Sequence, residues 1–147
     1  MVARKRFIFV CMATVFGAGF MLGSTVRGPA ALQAKSAARV FELRTYMAPE
    51  GKLANLQARF RDHTMRLFER HGITNVGYWT PQDEPMSANT LVYIIAHPSR
   101  EEAVTSWANF RGDPEWQRVS RESQVDGRIV TNVTSVFLDP MDFSPIQ

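Results

Sequence analysis

Val40-Phe41-Glu42-Leu43-Arg44-Thr45-Tyr46 alternates between two kinds of side chain and is rich in strand formers. A period of two places Phe41, Leu43 and Thr45 on one face of a strand and Glu42, Arg44 and Tyr46 on the other. Pro49-Glu50-Gly51 is a turn, after which Leu53, Leu56, Phe60, His63 and Leu67 recur at spacings of three and four until His71-Gly72. That spacing predicts a helix of about five turns with a glycine stop. Residues 74–80 and 89–96 are strand-like runs flanking the turn-forming segment 81–88, and they are expected to pair as a hairpin. Ser99 and Glu102 form a capping box for a second helix, whose buried stripe is Ala103, Trp107 and Phe110. Asp113-Pro114-Glu115 opens a further helical segment. There aspartate accepts at the cap, proline needs no donor at the first position, and an acid suits the positive helix end. A β-branched run, 129–138, is stopped by Asp139-Pro140.

The resulting order, β-α-β-β-α-β, is the ferredoxin-like arrangement of an α+β domain, with helices covering one face of a four-stranded antiparallel sheet. With Phe41, Leu43, Val92 and Ile94 turned towards the helices, the other face carries Val40, Leu91, Tyr93, Ile95, Val130 and Val136 among Glu42, Arg44, Tyr46, Asn132 and Thr134. That much apolar surface calls for a cover. A second copy packed sheet to sheet supplies one and leaves the polar members around a lumen, so the chain is expected to be a homodimer.

The composition, 147 residues with 45% hydrophobic and 21% charged, is that of one ordinary globular domain. Cys11 is the one cysteine, so the remaining chain has no thiol for a disulfide, a zinc or iron–sulfur cluster, or a cysteine nucleophile. The formal charge of +3 is unevenly placed: residues 1–38 hold five bases and no acid, leaving 12 of the 17 bases against all 14 acids in 39–147. The domain is slightly acidic and shows no nucleic-acid motif, so no nucleic-acid partner is expected.

Arg4-Lys5-Arg6, the charge-free run from Phe7 to Val26 and the small residues from Ala30 to Ala38 follow the layout of a secretory leader. The run contains three glycines and sits at the lower edge of the roughly 17–25 residues a bilayer span needs. Residues 1–38 therefore read as a signal peptide or an N-terminal membrane anchor with linker, and 39–147 as the folded domain. The expected address is exported, periplasmic or secreted, with membrane contact only through that segment. A mitochondrial presequence is the alternative in a eukaryote, but that class is amphipathic and this run is continuously apolar.

The residues also carry a resemblance. Phe41-Glu42-Leu43-Arg44-Thr45-Tyr46, Phe60-Arg61-Asp62-His63-Thr64 leading to Leu67-Phe68-Glu69-Arg70-His71-Gly72, Gly77-Tyr78-Trp79, and Ser106-Trp107 through Asp113-Pro114-Glu115-Trp116 together resemble the NIPSNAP family. The match runs from about Val40 to Pro140, and the last segment is its most specific part. The resemblance implies the fold of the dimeric α/β-barrel superfamily, in which two ferredoxin-like units join their sheets. It implies no settled activity. Eukaryotic relatives are associated with mitochondria and trafficking, and bacterial ones mostly carry no assigned reaction.

Six residues are candidates for lining a lumen or holding a ligand: Glu42, Arg44, Tyr46, His63, Tyr78 and Tyr93. Arg44 suits a carboxylate, Tyr46 can donate to a carbonyl, and a buried Glu42 can serve as a base with a raised pKa. A self-satisfied Glu42–Arg44 ion pair is the structural alternative. His63 falls in the helix stripe and is expected to face the sheet, either as a core histidine or as a proton shuttle or haem ligand. His71 reads as a helix-end cap, and Trp107 and Trp116 as core. No metal site or cofactor is expected, because the three histidines stand on three elements. Two functions from different classes follow. One is a non-catalytic homodimer that binds a small apolar or carboxylate ligand or docks a protein. The other is a cofactor-free monooxygenase or isomerase acting on an aromatic or polyketide-like substrate, with a haem-binding barrel as a weaker third.

Overall fold

The structure, a computed structural model, describes residues 39–147; the leader readings for 1–38 lie outside the described residues. The elements follow in the expected order. Strand β1 spans Val40–Met47, helix α1 Leu53–Arg59, a π turn Phe60–Thr64, helix α2 Met65–Arg70 and strand β2 Thr74–Trp79. Strand β3 (Thr90–His97), helices α3 (Arg100–Gly112) and α4 (Pro114–Glu122), and strand β4 (Asn132–Leu138) complete the domain. The sheet is antiparallel, in the order β2-β3-β1-β4. Among the described residues no helix is long and apolar enough to cross a membrane.

The local signals act as their chemistry dictates. After α2, Gly72 adopts φ +75°, which places the Ile73 N–H on the Phe68 carbonyl at 2.9 Å and the Gly72 N–H on that of Glu69 at 3.1 Å. This is a glycine-closed helix end, and it drops the fully buried Ile73 into the core. Ser99 Oγ accepts from the Glu102 N–H at 3.1 Å, and Asp113 Oδ1 accepts from the Glu115 N–H at 2.7 Å and the Trp116 N–H at 3.2 Å. The last strand starts three residues later than expected, although Ile129 ahead of it is buried.

Two expectations about side-chain direction are overturned. Glu42 pairs with Ile95, Arg44 with Tyr93 and Tyr46 with Leu91. It is this row that lies under the helices, in a core shared with Leu56, Phe60, Leu67, Phe68 and Phe110. Phe41, Leu43, Val92 and Ile94, expected to face the helices, are on the open face of the sheet, together with Val136 and Leu138. The two faces of β1 and β3 are thus exchanged relative to the expectation, while Thr134 and Val136 of β4 lie on the open face as expected. A polar row can be buried here because its charges and hydroxyls meet partners, as described below.

The second correction concerns His63. The Phe60–Thr64 segment is wound as a π turn, and Thr64 Oγ1 donates to the Arg59 carbonyl five residues back, at 3.1 Å. The wider turn advances the stripe by one position, so Thr64 is buried where His63 was expected. His63 instead lines an outer groove of about 230 Å³ between α1 and α4, beside Asp62, Glu122 and Ser123.

Candidate functional site

The helix-facing row of β1 is the chemical centre of the domain. Glu42 is 1% exposed, and four donors converge on its carboxylate. Arg44 Nη1 and Ser135 Oγ each lie 2.5 Å from Oε1, while Trp107 Nε1 at 2.7 Å and His97 Nε2 at 3.1 Å donate to Oε2. These donors come from β1, β4, α3 and β3, so the carboxylate ties one helix to three strands. Burial by itself would raise the Glu42 pKa, but the hydrogen bonds from His97, Ser135, Trp107 and Arg44 prevail and lower it to about 2. The expected base with a raised pKa is therefore replaced by a permanently ionised acceptor. The Glu42–Arg44 ion pair forms within one chain.

Arg44 reaches further. Its Nη2 donates to the Tyr46 hydroxyl at 3.3 Å, its guanidinium lies 4.4 Å from the centre of the Trp107 ring, and its buried Nε has no partner. Beyond Tyr46 the row becomes aromatic. Tyr46 meets Phe60 edge-on at 5.7 Å, and Tyr93 stacks on Tyr78 at 5.2 Å. The Tyr93 hydroxyl is fully buried without a hydrogen-bond partner, and desolvation pushes its pKa well up. Burial likewise raises that of Tyr78, whose hydroxyl is bonded to Asn75 Oδ1. Five of the six candidates, Glu42, Arg44, Tyr46, Tyr78 and Tyr93, are thus gathered between sheet and helices instead of in a lumen between two sheets. His63 is not among them, and the geometry on which a haem reading rested goes with it.

Three participants lie outside the six candidates: His97, Ser135 and Arg59. Arg59 is 7% exposed, lies 5.2 Å from the Trp116 ring centre, and has an unpartnered Nε. Burial lowers its pKa, against the opposing pull of the Tyr46 and Tyr93 phenols. A charge inside a helix stripe, one turn after Leu56, was the available signal. Among the described residues no group of three His, Cys, Asp or Glu side chains could hold a metal ion.

The segment that carried the family resemblance most specifically is a structural joint. Asp113 caps α4 through Oδ1, while Oδ2 meets His71 Nε2 at 2.7 Å and Arg70 Nη1 at 3.2 Å. The His71 hydrogen bond, aided by the α4 backbone and Arg70, holds the Asp113 pKa down at about 2. Glu115 pairs with Arg66 and, at 2.9 Å, with Arg70. His71 therefore links α2 to the α4 cap.

Fold and site together define a ferredoxin-like α+β domain with its polar network enclosed between sheet and helices. The NIPSNAP family model matches residues 41–145, and the chain belongs to the NIPSNAP family. A NIPSNAP family protein of unknown function from Agrobacterium tumefaciens is 23% identical, with 75% of this chain covering 95% of that one at a TM-score of 0.65. An uncharacterised NIPSNAP-like domain protein from Burkholderia xenovorans is 20% identical over 74% of this chain and 90% of its own, at 0.64. A cofactor-independent oxygenase from Streptomyces nogalater shares 12% identity over 74% of this chain and 99% of its own, at 0.50. These likenesses concern the fold. No curated protein matches the chain.

Proposed function

We propose that this chain is an exported, homodimeric binding module that performs no reaction of its own. The observation that carries the dimer is the open face of the sheet. Leu43, Val92 and Ile94 lie there half-buried beside the exposed Val136 and Leu138, and Trp79 is 52% exposed at its edge. The C-terminal residues Met141, Phe143 and Ile146 reach one end of that face, where they bound a groove of about 330 Å³ with Phe41, Val76 and Ile94. Among the described residues nothing covers the middle of the face. A sheet that meets water alternates apolar and polar residues across its faces, whereas this face is apolar along both central strands. A second copy, sheet to sheet, is the cover that the barrel architecture supplies.

The binding reading is supported by what the interior lacks. Glu42 has two donors on each oxygen and its pKa is held down at about 2, which makes it a weak and fully engaged base. The oxygenase alternative rests on fold likeness, and fold does not carry function. The charge-free run and basic tripeptide of residues 1–38 support export.

Light scattering on the full chain tests the dimer. Val136→Glu is expected to give monomers, with Val125→Glu, in a 78% exposed position away from the sheet, as the unaffected control. A Val136→Glu protein that stays dimeric overturns the interface. Ile95, expected on the open face, is fully buried beneath the helices, so a charge there reports on folding instead.

A further inference from the structure

Between α3 and the β1–β4 half of the sheet lies a cleft of about 230 Å³ that the network around Glu42 does not fill. Three guanidiniums line it: Arg44 from β1, and Arg100 and Arg111 from the two ends of α3. Its apolar walls include Trp107 and Phe137. The charge balance is one-sided. Glu42 is the one acid lining the cleft, and each of its oxygens already receives two donors. Among the described residues neither Arg100 nor Arg111 forms a salt bridge, and Glu101, next to Arg100 in the chain, acts on it only through its charge.

Position sharpens the point. Arg100 is the first residue of α3, where the helix dipole disfavours a cation. It is held there by Phe137, with the guanidinium 3.3 Å from the ring centre. Arg44 is fixed in the same way on Trp107, and its buried Nε–H still lacks an acceptor. Arg44 keeps one donor free after its pair with Glu42, and Arg100 has no salt bridge, so the cleft carries more positive charge than its one acid balances and suits an anion. The volume lies below the usual range for drug-sized ligands, so the occupant is small.

We propose that this cleft binds a small aromatic carboxylate, with Arg44, Arg100 and Arg111 taking the charge and Trp107 and Phe137 flanking the flat body. The inference rests on the binding-module reading and supplies its ligand class. Guanidinium–carboxylate geometry gives bidentate recognition, and the neighbouring indole and phenyl faces favour a planar partner over a hydrated anion.

Calorimetric titration of the full chain with benzoate, benzamide and inorganic phosphate tests it. Benzoate is expected to bind saturably, and at least about tenfold more tightly than its neutral amide. Arg100→Gln with Arg111→Gln, both exposed on α3, is expected to weaken benzoate about tenfold or more while the circular dichroism spectrum stays unchanged. Val104→Glu, 67% exposed on the rim, brings a carboxylate to the mouth and is expected to weaken benzoate as well if the double variant fails to fold. No saturable benzoate binding, equal affinity for benzamide, or undiminished binding in the folded variants overturns the site. Displacement of benzoate by an equal concentration of phosphate overturns the aromatic part. Light scattering on the same samples separates the two readings: a dimer blind to benzoate refutes this site alone, and a monomer that binds benzoate refutes the dimer alone.

Discussion

Replacing Glu42 by glutamine removes one charge from a side chain that is 1% exposed and nearly preserves its shape. The wild-type carboxylate offers two acceptor oxygens to four donors, whereas an amide offers one acceptor and turns its own donors towards groups that also donate. Arg44, with a side chain 15% exposed, then lies buried without an acid. Removing one partner of a buried ion pair costs about 3–5 kcal/mol, a large share of the roughly 5–15 kcal/mol that holds a typical domain together. Thermal unfolding followed by circular dichroism at pH 7 is expected to show a midpoint lower by roughly 12 °C or more. The acid limb gives an independent readout. Because the folded pKa of Glu42, about 2, lies below its ordinary value of 4.5, the stability it contributes is fully present above pH 4.5 and is lost as pH falls from there through 2. That loss is on the order of 3 kcal/mol in the wild type and absent from the glutamine variant, which retains only the part due to other carboxylates such as Asp113. A variant with the wild-type midpoint and the wild-type acid limb would refute the network as the anchor of the sheet to α3.

Asp113→Ala removes the α4 cap and the bonds to His71 and Arg70; unfolding in urea is expected to show a loss of about 1–2 kcal/mol, and a loss below about 0.5 kcal/mol would contradict the joint. Thr64→Val keeps the volume but strips the Arg59 carbonyl of its hydroxyl partner in the π turn, so about 1 kcal/mol is expected in the same assay, with no change counting against that bond. Gly77→Ala places a methyl group 2.4 Å from the Trp79 indole; because that ring is 52% exposed and can swing away, the expected result is altered tryptophan emission with little loss of stability.

Much of the fold was legible because its signals are local. Ser99 with Glu102, Asp113 with Pro114, and Gly72 after His71 each act within a few residues of themselves, and the structure uses all of them at those positions. The side-chain directions were less legible because their causes are distant. Nothing near Glu42 in the sequence announces that His97, Trp107 and Ser135 will converge on it from 55, 65 and 93 residues away. Without those donors, the polar row of β1 belongs outside, and that is where the pattern placed it. His63 was misdirected by one turn of π geometry, which Thr64 closes with a hydroxyl and which a spacing of three and four cannot register.

The inversion of the strand faces alters the reason for expecting a partner. With the polar row outside, the exposed face would have mixed Glu42 and Arg44 with apolar residues, and a partner would have had to accommodate both. With that row enclosed, the outward face is Leu43, Val92, Ile94, Val136 and Leu138 with Thr45 and Thr134. In β3 both rows are apolar, Leu91, Tyr93 and Ile95 inward and Val92, Ile94 and Ala96 outward. Strands that are apolar on both faces occur where both faces are covered. The helices account for one cover. The tail at 139–147 accounts for one end of the other, so among the described residues the central part of β1, β3 and β4 stays open, and that is the surface the proposed second copy would cover. The two proposals then occupy opposite sides of the same strands: the partner meets Leu43 and Val136, while the carboxylate meets Arg44. The two proposals are therefore separable by single substitutions on opposite sides of the sheet, and a double variant of Val136→Glu on β4 with Arg111→Gln on α3 should show both single effects, each undiminished.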